Sequence, residues 1–463
     1  MKRLLLSGLL ALTVILACIT KENPASGAIT PEMLQTFERS ASPDAFLKSA
    51  QNAVSANDIK NLVYNRDLVG TIDHHFAHRI KTPSITDQKS SGRCWLFTAL
   101  NVLRPQVVSK YNLKDFEFSQ NYLFFYDQLE KANLFLETVL RSRAKTMYDR
   151  EMEWLFQNPI ADGGVWSMMP GLIEKYRCVP KEIMPDTYNS ANTAMMTRLL
   201  KRKLREQGLE LFEAKSKERN PAVLQRRKTE MLAEIYRMLV IFLGTPPREF
   251  SWRYLNREDS LIVAPAYTPQ RFYSEVVNAP LGDYVMLMDD PTRDYYKLYE
   301  IEYYRNRFDS PNWTYINLPV DKIKQYARAS ILADQPLYFS CDVGKDLDRQ
   351  QGFLINGLYD FGTLLGVTFK MDKRARILTF DSGSSHGMAL IGVDTAATGQ
   401  PTKWLLENSW GTDDGYKGFL TMTDEWFGEY MFRLVILRRF LPPDVLQILT
   451  QKPIKLDPWD RMN

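Results

Sequence analysis

The sequence is poor in several things, and each shortage excludes a class of protein. Four cysteines (Cys18, Cys94, Cys178 and Cys341) in 463 residues cannot build a disulfide scaffold. Glycine and proline, at 23 and 24 residues, are too sparse for a collagen-like or linker-dominated chain. Neither sign of charge dominates: 59 Lys and Arg against 55 Asp and Glu leave +4, so the whole-chain charge gives no argument for a nucleic-acid partner. No internal repeat or low-complexity tract is visible, and no apolar run approaches the roughly 20 residues of a membrane span. What is present is ordinary globular composition, 45% hydrophobic and 25% charged, which excludes disorder as the main state. At about 100–200 residues per domain, the length allows two to four domains. The four histidines are few enough to weigh one by one.

Met1-Lys2-Arg3 is a basic start, and Leu4 to Ala17 follow without a charge. A basic start, a short apolar core and a small residue together form an export signal. Ile15-Leu16-Ala17-Cys18 has the pattern of a bacterial lipobox, so residues 1–18 are expected to be a signal of lipoprotein type, with Cys18 lipidated. Ala25-Ser26-Gly27 offers ordinary signal-peptidase cleavage as the alternative. The expected location is the periplasm or a membrane surface of a bacterial cell, with secretion as the alternative. Membrane attachment would come through the lipid anchor alone.

Residues 19–82 are expected to form a mostly helical N-terminal arm. Phe97 to Lys110 reads as a buried helix, with Leu100, Leu103, Val107 and Val108 at helical spacing. Phe116 to Leu140 reads as a second. Thr193 to Leu243 reads as a long helical pair broken at Asn220-Pro221. Strand-like runs come late: Leu337 to Ser340, Ala389 to Val393, Trp404 to Leu406 and Phe432 to Leu437. Helices first and strands later indicate an α+β fold. From Arg198 to Lys228, eleven Lys and Arg face four Glu, a local net of +7. A solvated helix face explains this, with a surface for polyanions or a neighbouring subunit as the alternative.

Gln88-Lys89-Ser90-Ser91-Gly92-Arg93-Cys94-Trp95 is the most informative octapeptide. It opens the apolar helix, so Cys94 sits at a helix N-terminus, where the dipole favours a thiolate. Cys178 and Cys341 read instead as small buried hydrophobes. His74, His75 and His78 lie in a polar stretch expected to be a solvated patch, and no metal site is expected. His386 differs, because it leads directly into the apolar run Met388 to Val393, at the lip of a buried strand. Glu407-Asn408-Ser409-Trp410-Gly411 then supplies Asn408 to fix the imidazole tautomer and Trp410 to shield that hydrogen bond from water.

These segments resemble the Cys-His-Asn constellation of the papain superfamily. His386 lies 292 residues and Asn408 314 residues beyond Cys94, on the order of 150 more than the papain-type spacing. Within the superfamily the chain resembles the bleomycin hydrolase family, which includes the bacterial aminopeptidases C. The resemblance rests on Gln88 to Phe97, Phe118 to Phe125, Asp162-Gly-Gly, Cys341 to Lys345, Glu407 to Gly411, Met422 to Phe427 and Pro458-Trp459-Asp460. It runs from about residue 60 to the C-terminus.

The resemblance implies a papain-like two-domain core with a large helical insertion and a C-terminal arm. Residues 83–192 would be the helix-rich half with the nucleophile and 193–244 a helical insertion projecting from the core. Residues 245–330 would be the remainder of the insertion and a connection, 331–440 the strand-rich half, and 441–463 the arm. Cys94 would be the nucleophile, His386 the base and later the acid, and Asn408 the orienting group. The Gln88 amide and the Cys94 backbone N–H would form the oxyanion hole, with Trp95 and Trp410 in support. Family members are typically homohexamers in which the terminal carboxylate, here that of Asn463, holds the substrate's free amine. The implied function is a cysteine aminopeptidase that needs no cofactor and acts on peptides with a free N-terminus. The alternatives are an endopeptidase or dipeptidyl peptidase and, in a different class, a basic nucleic-acid-binding or scaffold protein. Three features depart from the family pattern: the export signal, an arm a few residues shorter than in many relatives, and Arg461 beside the end.

Overall fold

A computed structural model describes residues 27–41, 44–142, 145–218 and 220–462. They fall into two compact units, one running to Val63 and including Leu364–Gly366, the other taking in Tyr64–Thr363 and Val367 onward. In the smaller unit, α1 (Pro31–Ser40) is capped by Thr30, and α2 (Ala45–Ala56) by Asp44, whose carboxylate accepts the Leu47 N–H at 2.6 Å. Neither helix buries a residue. Among the described residues, no helix is long and apolar enough to cross a membrane.

The larger unit begins with helices. In α3 (Cys94–Lys110) every residue from Trp95 to Arg104 is buried, so the helix is enclosed on all sides rather than amphipathic. In α4 (Gln120–Arg141) the expected start at Phe116 moves inward. Ser119 caps the helix by accepting the Tyr122 N–H at 3.0 Å, while Phe118 bridges to Pro180 as extended chain. The helical pair is α5 (Thr193–Lys217) and α6 (Pro221–Leu243), with Asn220 as N-cap and Pro221 at the first helical position.

This pair does not project from the core. Both helices pack on α4, and Met196, Leu200, Leu204, Leu211, Ile235 and Leu239 join the same hydrophobic cluster as α3 and α4. Gly208 permits the approach: a Cβ there would stand 2.7 Å from the Phe135 ring of α4. The Lys and Arg excess hid an apolar stripe, because charge occupies one face of a helix whose other face is buried.

The strands β1 (Tyr284–Met288), β2 (Lys297–Ile301), β3 (Trp313–Asn317), β4 (Leu337–Cys341), β5 (His386–Thr395), β6 (Pro401–Glu407), β7 (Phe419–Thr423), β8 (Met431–Leu437) and β9 (Ile454–Leu456) join one sheet. Their order is β9-β2-β3-β1-β8-β4-β5-β6-β7. Thus 245–330, expected as insertion and connection, supplies three strands of this sheet besides a separate hairpin of Phe250–Leu255 and Leu261–Tyr267. Non-local pairing leaves no local signal of which sheet a strand joins. The antiparallel pair β4–β5 aligns His386 with Cys341 and Gly387 with Ser340.

Gly208→Val should separate α5 from α4 and lower stability by about 1–3 kcal/mol, the usual cost of overpacking. Thermal melting monitored by circular dichroism checks this, and an unchanged melting point would contradict the close approach.

Candidate active site

The site is assembled where α3 begins and β5 begins. Cys94 is the first residue of α3, partly exposed, with Arg93 at the N-cap. Arg93 is fully buried, donates to Asp186 at 2.8 Å, and lies over the rings of Phe97 and Phe124. That fixes the turn carrying the thiol. The backbone N–H groups of Trp95 and Gly387, the latter next in chain to His386, act on the sulfur to favour its ionised form. The thiol and the start of β5 therefore meet.

His386 is buried, with Nε2 and Asn408 Oδ1 2.8 Å apart. The Ser409 backbone N–H, which can only donate, meets the same Asn408 atom at 2.8 Å. That atom is therefore the amide oxygen, so Nε2 carries the hydrogen and Nδ1 of the neutral ring presents its lone pair. The Trp410 ring stacks on the imidazole, centroids 4.6 Å apart and planes 26° apart. Arg349 in turn lies 4.9 Å from the Trp410 centroid.

Burial sets the protonation states. Loss of solvent pushes His386 down to about 4, opposed by the hydrogen bond to Asn408. Loss of solvent also raises the Cys94 thiol, opposed by the Gly387 and Trp95 N–H groups and by the positive charge of Arg433. Both shifts favour the uncharged forms, thiol and neutral imidazole, with one proton to pass between them. Cys178 and Cys341 are buried, and desolvation raises both thiols, as suits packing residues.

Gln88 is held from both ends of its amide. Its Oε1 accepts the Ser409 hydroxyl at 2.7 Å, and Nε2 donates one hydrogen to the Ser91 carbonyl at 2.7 Å. The second N–H of that amide is not used by either bond. Trp95 is buried, and its indole N–H donates to the Asp162 carbonyl at 3.0 Å. The Asp162 carboxylate accepts the Gly92 N–H at 2.7 Å and the Thr193 hydroxyl, and a Cβ on Gly92 would collide with it.

Three contributors went without a role in the sequence reading: Ser409, Asp162 and Arg433. The first two lay inside quoted motifs. Arg433 carried a signal of its own, being the one charged residue in the apolar run Met431–Leu437. Its guanidinium donates to the Met462 carbonyl at 2.7 Å, and Met462 is only 2% exposed. The preceding residues are also pinned: Trp459 under Arg150, Asp460 to Arg293 and Arg461 over Phe380. Asn463 and Cys18 lie outside the described residues.

The three other histidines stay apart from this site, and His74 departs from the expected solvated patch. His74 is sandwiched between Phe353 and Tyr416, at 4.4 and 4.0 Å, with Nδ1 2.9 Å from the Thr421 hydroxyl, and burial lowers its pKa. His78 contacts Asp334 at 3.1 Å, and His75 is exposed. Flat apolar partners distant in sequence took up a ring that its neighbours in the chain would have left in water. Among the described residues, no cluster of His, Cys, Asp and Glu is placed to hold a metal.

Known proteins resemble this chain over nearly its whole length. Residues 28–463 match the model of the Peptidase C1-like family. Aminopeptidase C of Lactobacillus delbrueckii subsp. lactis is 36% identical over 442 residues, spanning 94% of this chain and 98% of the relative. Bleomycin hydrolase of Homo sapiens is 35% identical over 449 residues, spanning 95% and 99%. Among solved structures, PepW from Lactobacillus rhamnosis, 35% identical, superposes with a TM-score of 0.91 over 94% of this chain and 99% of that one. A reactive-type cysteine at a helix start, a tautomer-fixed histidine at a strand start and full-length kinship thus agree: the chain belongs to the Peptidase C1-like family, in the branch of aminopeptidase C and bleomycin hydrolase, and is a papain-like cysteine peptidase.

Proposed function

We propose that the chain is a cysteine aminopeptidase, releasing residues from peptide N-termini through a thioester intermediate. The observation that carries this reading is the match over 98–99% of the length of relatives named Aminopeptidase C and Bleomycin hydrolase, C-terminal segment included. In this mechanism the Cys94 thiol passes its proton to Nδ1 of His386 as the sulfur attacks the scissile carbonyl. The Gln88 side-chain N–H and the Cys94 backbone N–H receive the oxyanion. Imidazolium then protonates the leaving amine, and neutral imidazole activates the water that hydrolyses the thioester. Asn408 keeps Nε2 protonated throughout, and Trp410 keeps water from that bond.

The segment Trp459–Met462 supports an exopeptidase over an endopeptidase or dipeptidyl peptidase. It is held in place, and the arginine that holds Met462 is the one that acts electrostatically on Cys94. On this reading the segment walls off one end of the cleft, and Asn463 beyond it anchors the substrate amine. A homo-oligomer, a hexamer by likeness to the family, and a lipid anchor at Cys18 with periplasmic exposure complete the proposal. Light scattering and membrane fractionation report on these two points.

Cys94→Ser and His386→Ala should each reduce kcat by at least about 10³-fold, and the double variant should lose no more than either alone, because the two act as one unit. Gln88→Ala should cost roughly 10²–10³-fold in kcat, the value of one oxyanion donor. Steady-state rates on an aminoacyl fluorophore provide the measurement, and a His74 variant as damaged as His386→Ala would displace the assigned base.

The pair works with a single proton between its members. Below the His386 pKa of about 4 it holds two protons and no base remains. Above the Cys94 pKa, itself raised from the ordinary 9.0, it holds none and cannot protonate the leaving amine. The pH profile of kcat/KM should therefore rise through about 4, run level across neutrality and fall only above 9. An acid limb at the ordinary histidine value would show that His386 is not buried in the free enzyme.

Deleting residues 459–463 should lower kcat/KM on peptides with a free N-terminus and raise it on N-blocked versions of the same peptides. A ratio unchanged by the deletion would assign the restriction to another part of the molecule.

A further inference from the structure

The basic run of α5 has no part in the chemistry above, yet one face of it opens beside the nucleophile loop. A cavity of about 520 Å³ is bounded on one side by Ser90, Ser91 and Gly92 and on the other by Arg198, Lys201 and Arg205. The three cations are three and four residues apart, so they stand on one face of the helix. Arg205 is anchored through the carbonyls of Phe156 and Gln157, at 2.8 and 3.1 Å. Arg198 touches the Met195 sulfur at 2.9 Å. Among the described residues, none of the three forms an ion pair, whereas Lys203 on the same helix is paired with Glu206 and Glu234.

The cavity holds one carboxylate, Asp162, which is already engaged by the Gly92 N–H and the Thr193 hydroxyl. The Thr197 hydroxyl also lines it, shielded from solvent and without a partner. Asn192 gives the first turn of α5 no side-chain cap, and the Thr193 N–H meets the Ser90 carbonyl instead. Three unpaired cations, a spare hydroxyl and a helix start together favour an anionic guest.

Position identifies the guest. Gly92 is two residues from Cys94, a chain span of at most about 7 Å. A peptide lying across Cys94 therefore passes the mouth of the cavity. The lining carries no aromatic ring on which a base could stack, which disfavours a nucleic acid. We propose that this cavity is a specificity pocket that receives an acidic side chain of the peptide substrate, in a residue flanking the scissile bond. The proposal rests on the peptidase reading and deepens it by naming a substrate class.

The test uses the full-length protein with tetra-alanine and its four single-glutamate versions. At one of the four positions, glutamate should raise kcat/KM over alanine by about tenfold, the worth of one charge-assisted hydrogen bond. The preference should fade with added salt. In the double variant Arg198→Gln, Lys201→Gln the glutamate-to-alanine ratio should fall to near one. Arg202→Gln, on the same helix but outside the cavity, should keep the wild-type ratio. Equal rates at all four positions, a ratio unmoved by the double substitution, or the same loss in Arg202→Gln would each overturn the pocket. So would inhibition by a single-stranded oligonucleotide while all five peptides react alike.

Calorimetric binding of the same peptides to Cys94→Ser reads the pocket without turnover. Tighter binding of one glutamate peptide, lost in the double variant, supports it even if the wild type cleaves none of the five. Equal binding of all five refutes it even if tetra-alanine is cleaved, so failure of the pocket and failure of the peptidase reading remain distinct.

Discussion

The site depends on a short antiparallel pairing between two segments more than 300 residues apart. The Gln88 N–H donates to the Ser409 carbonyl at 2.8 Å, the Gly411 N–H donates to the Thr86 carbonyl at 3.1 Å, and Asp87 bridges to Trp410 between them. One segment leads into the helix bearing Cys94, and the other carries Asn408. Backbone hydrogen bonds thus fix the distance between the thiol's loop and the imidazole's orienting amide. Ser409 adds a side-chain tie to Gln88 and a backbone tie to Asn408, so the Gln88 amide and the histidine's partner are held by one residue. A buried ion pair reinforces the join one residue away, where Arg104 of α3 meets Glu407 at 2.8 Å and also reaches the Ser84 carbonyl. Removing one partner of such a pair leaves the other uncompensated, which typically costs about 3–5 kcal/mol, so the join resists local rearrangement.

The enclosure that makes the join rigid also sets the chemistry. Cys94 and His386 are both driven toward their neutral forms by loss of solvent, and the protein opposes this at the thiol with the Gly387 and Trp95 N–H groups and the Arg433 charge, and at the imidazole with the Asn408 oxygen that accepts its N–H. In the proposed mechanism, proton transfer within the pair shifts one hydrogen, with dipoles already in place to receive the charge. Arg433 links this electrostatic setting to the C-terminal segment through the Met462 carbonyl, so the field at the Cys94 thiol and the seating of that segment share one side chain.

The helical pair also contributes to the site. Thr193 opens α5 with its N–H on the Ser90 carbonyl and its hydroxyl on Asp162, the residue against which Gly92 is packed. Through Gly208 and its apolar stripe, the same helix is seated on α4. A segment inserted between the two catalytic halves in sequence therefore buttresses the loop before the nucleophile in space.

The local chemistry was legible in the sequence. A glycine-bearing loop before Cys-Trp, a histidine leading an apolar strand and an Asn-Ser-Trp-Gly turn pointed to Cys94, His386, Asn408 and Gln88 as candidates, and the fold joins His386 to Asn408 and Gln88 to Ser409. Helix against strand was legible too, since the apolar periodicity of α3 and the continuous apolar runs of β4, β5 and β8 are read residue by residue. Which elements lie together was not. The seating of α5 and α6 on α4, the strands drawn from 284–317 into the sheet, and the stacking of His74 between Phe353 and Tyr416 all depend on partners distant in the chain. The roles of Ser409, Asp162 and Arg433 depend on it as well. Sequence determined which groups could react, because that is a property of residues and their immediate neighbours. Tertiary structure decided which of them meet and how they are charged, because burial and long-range pairing are properties of the folded chain as a whole.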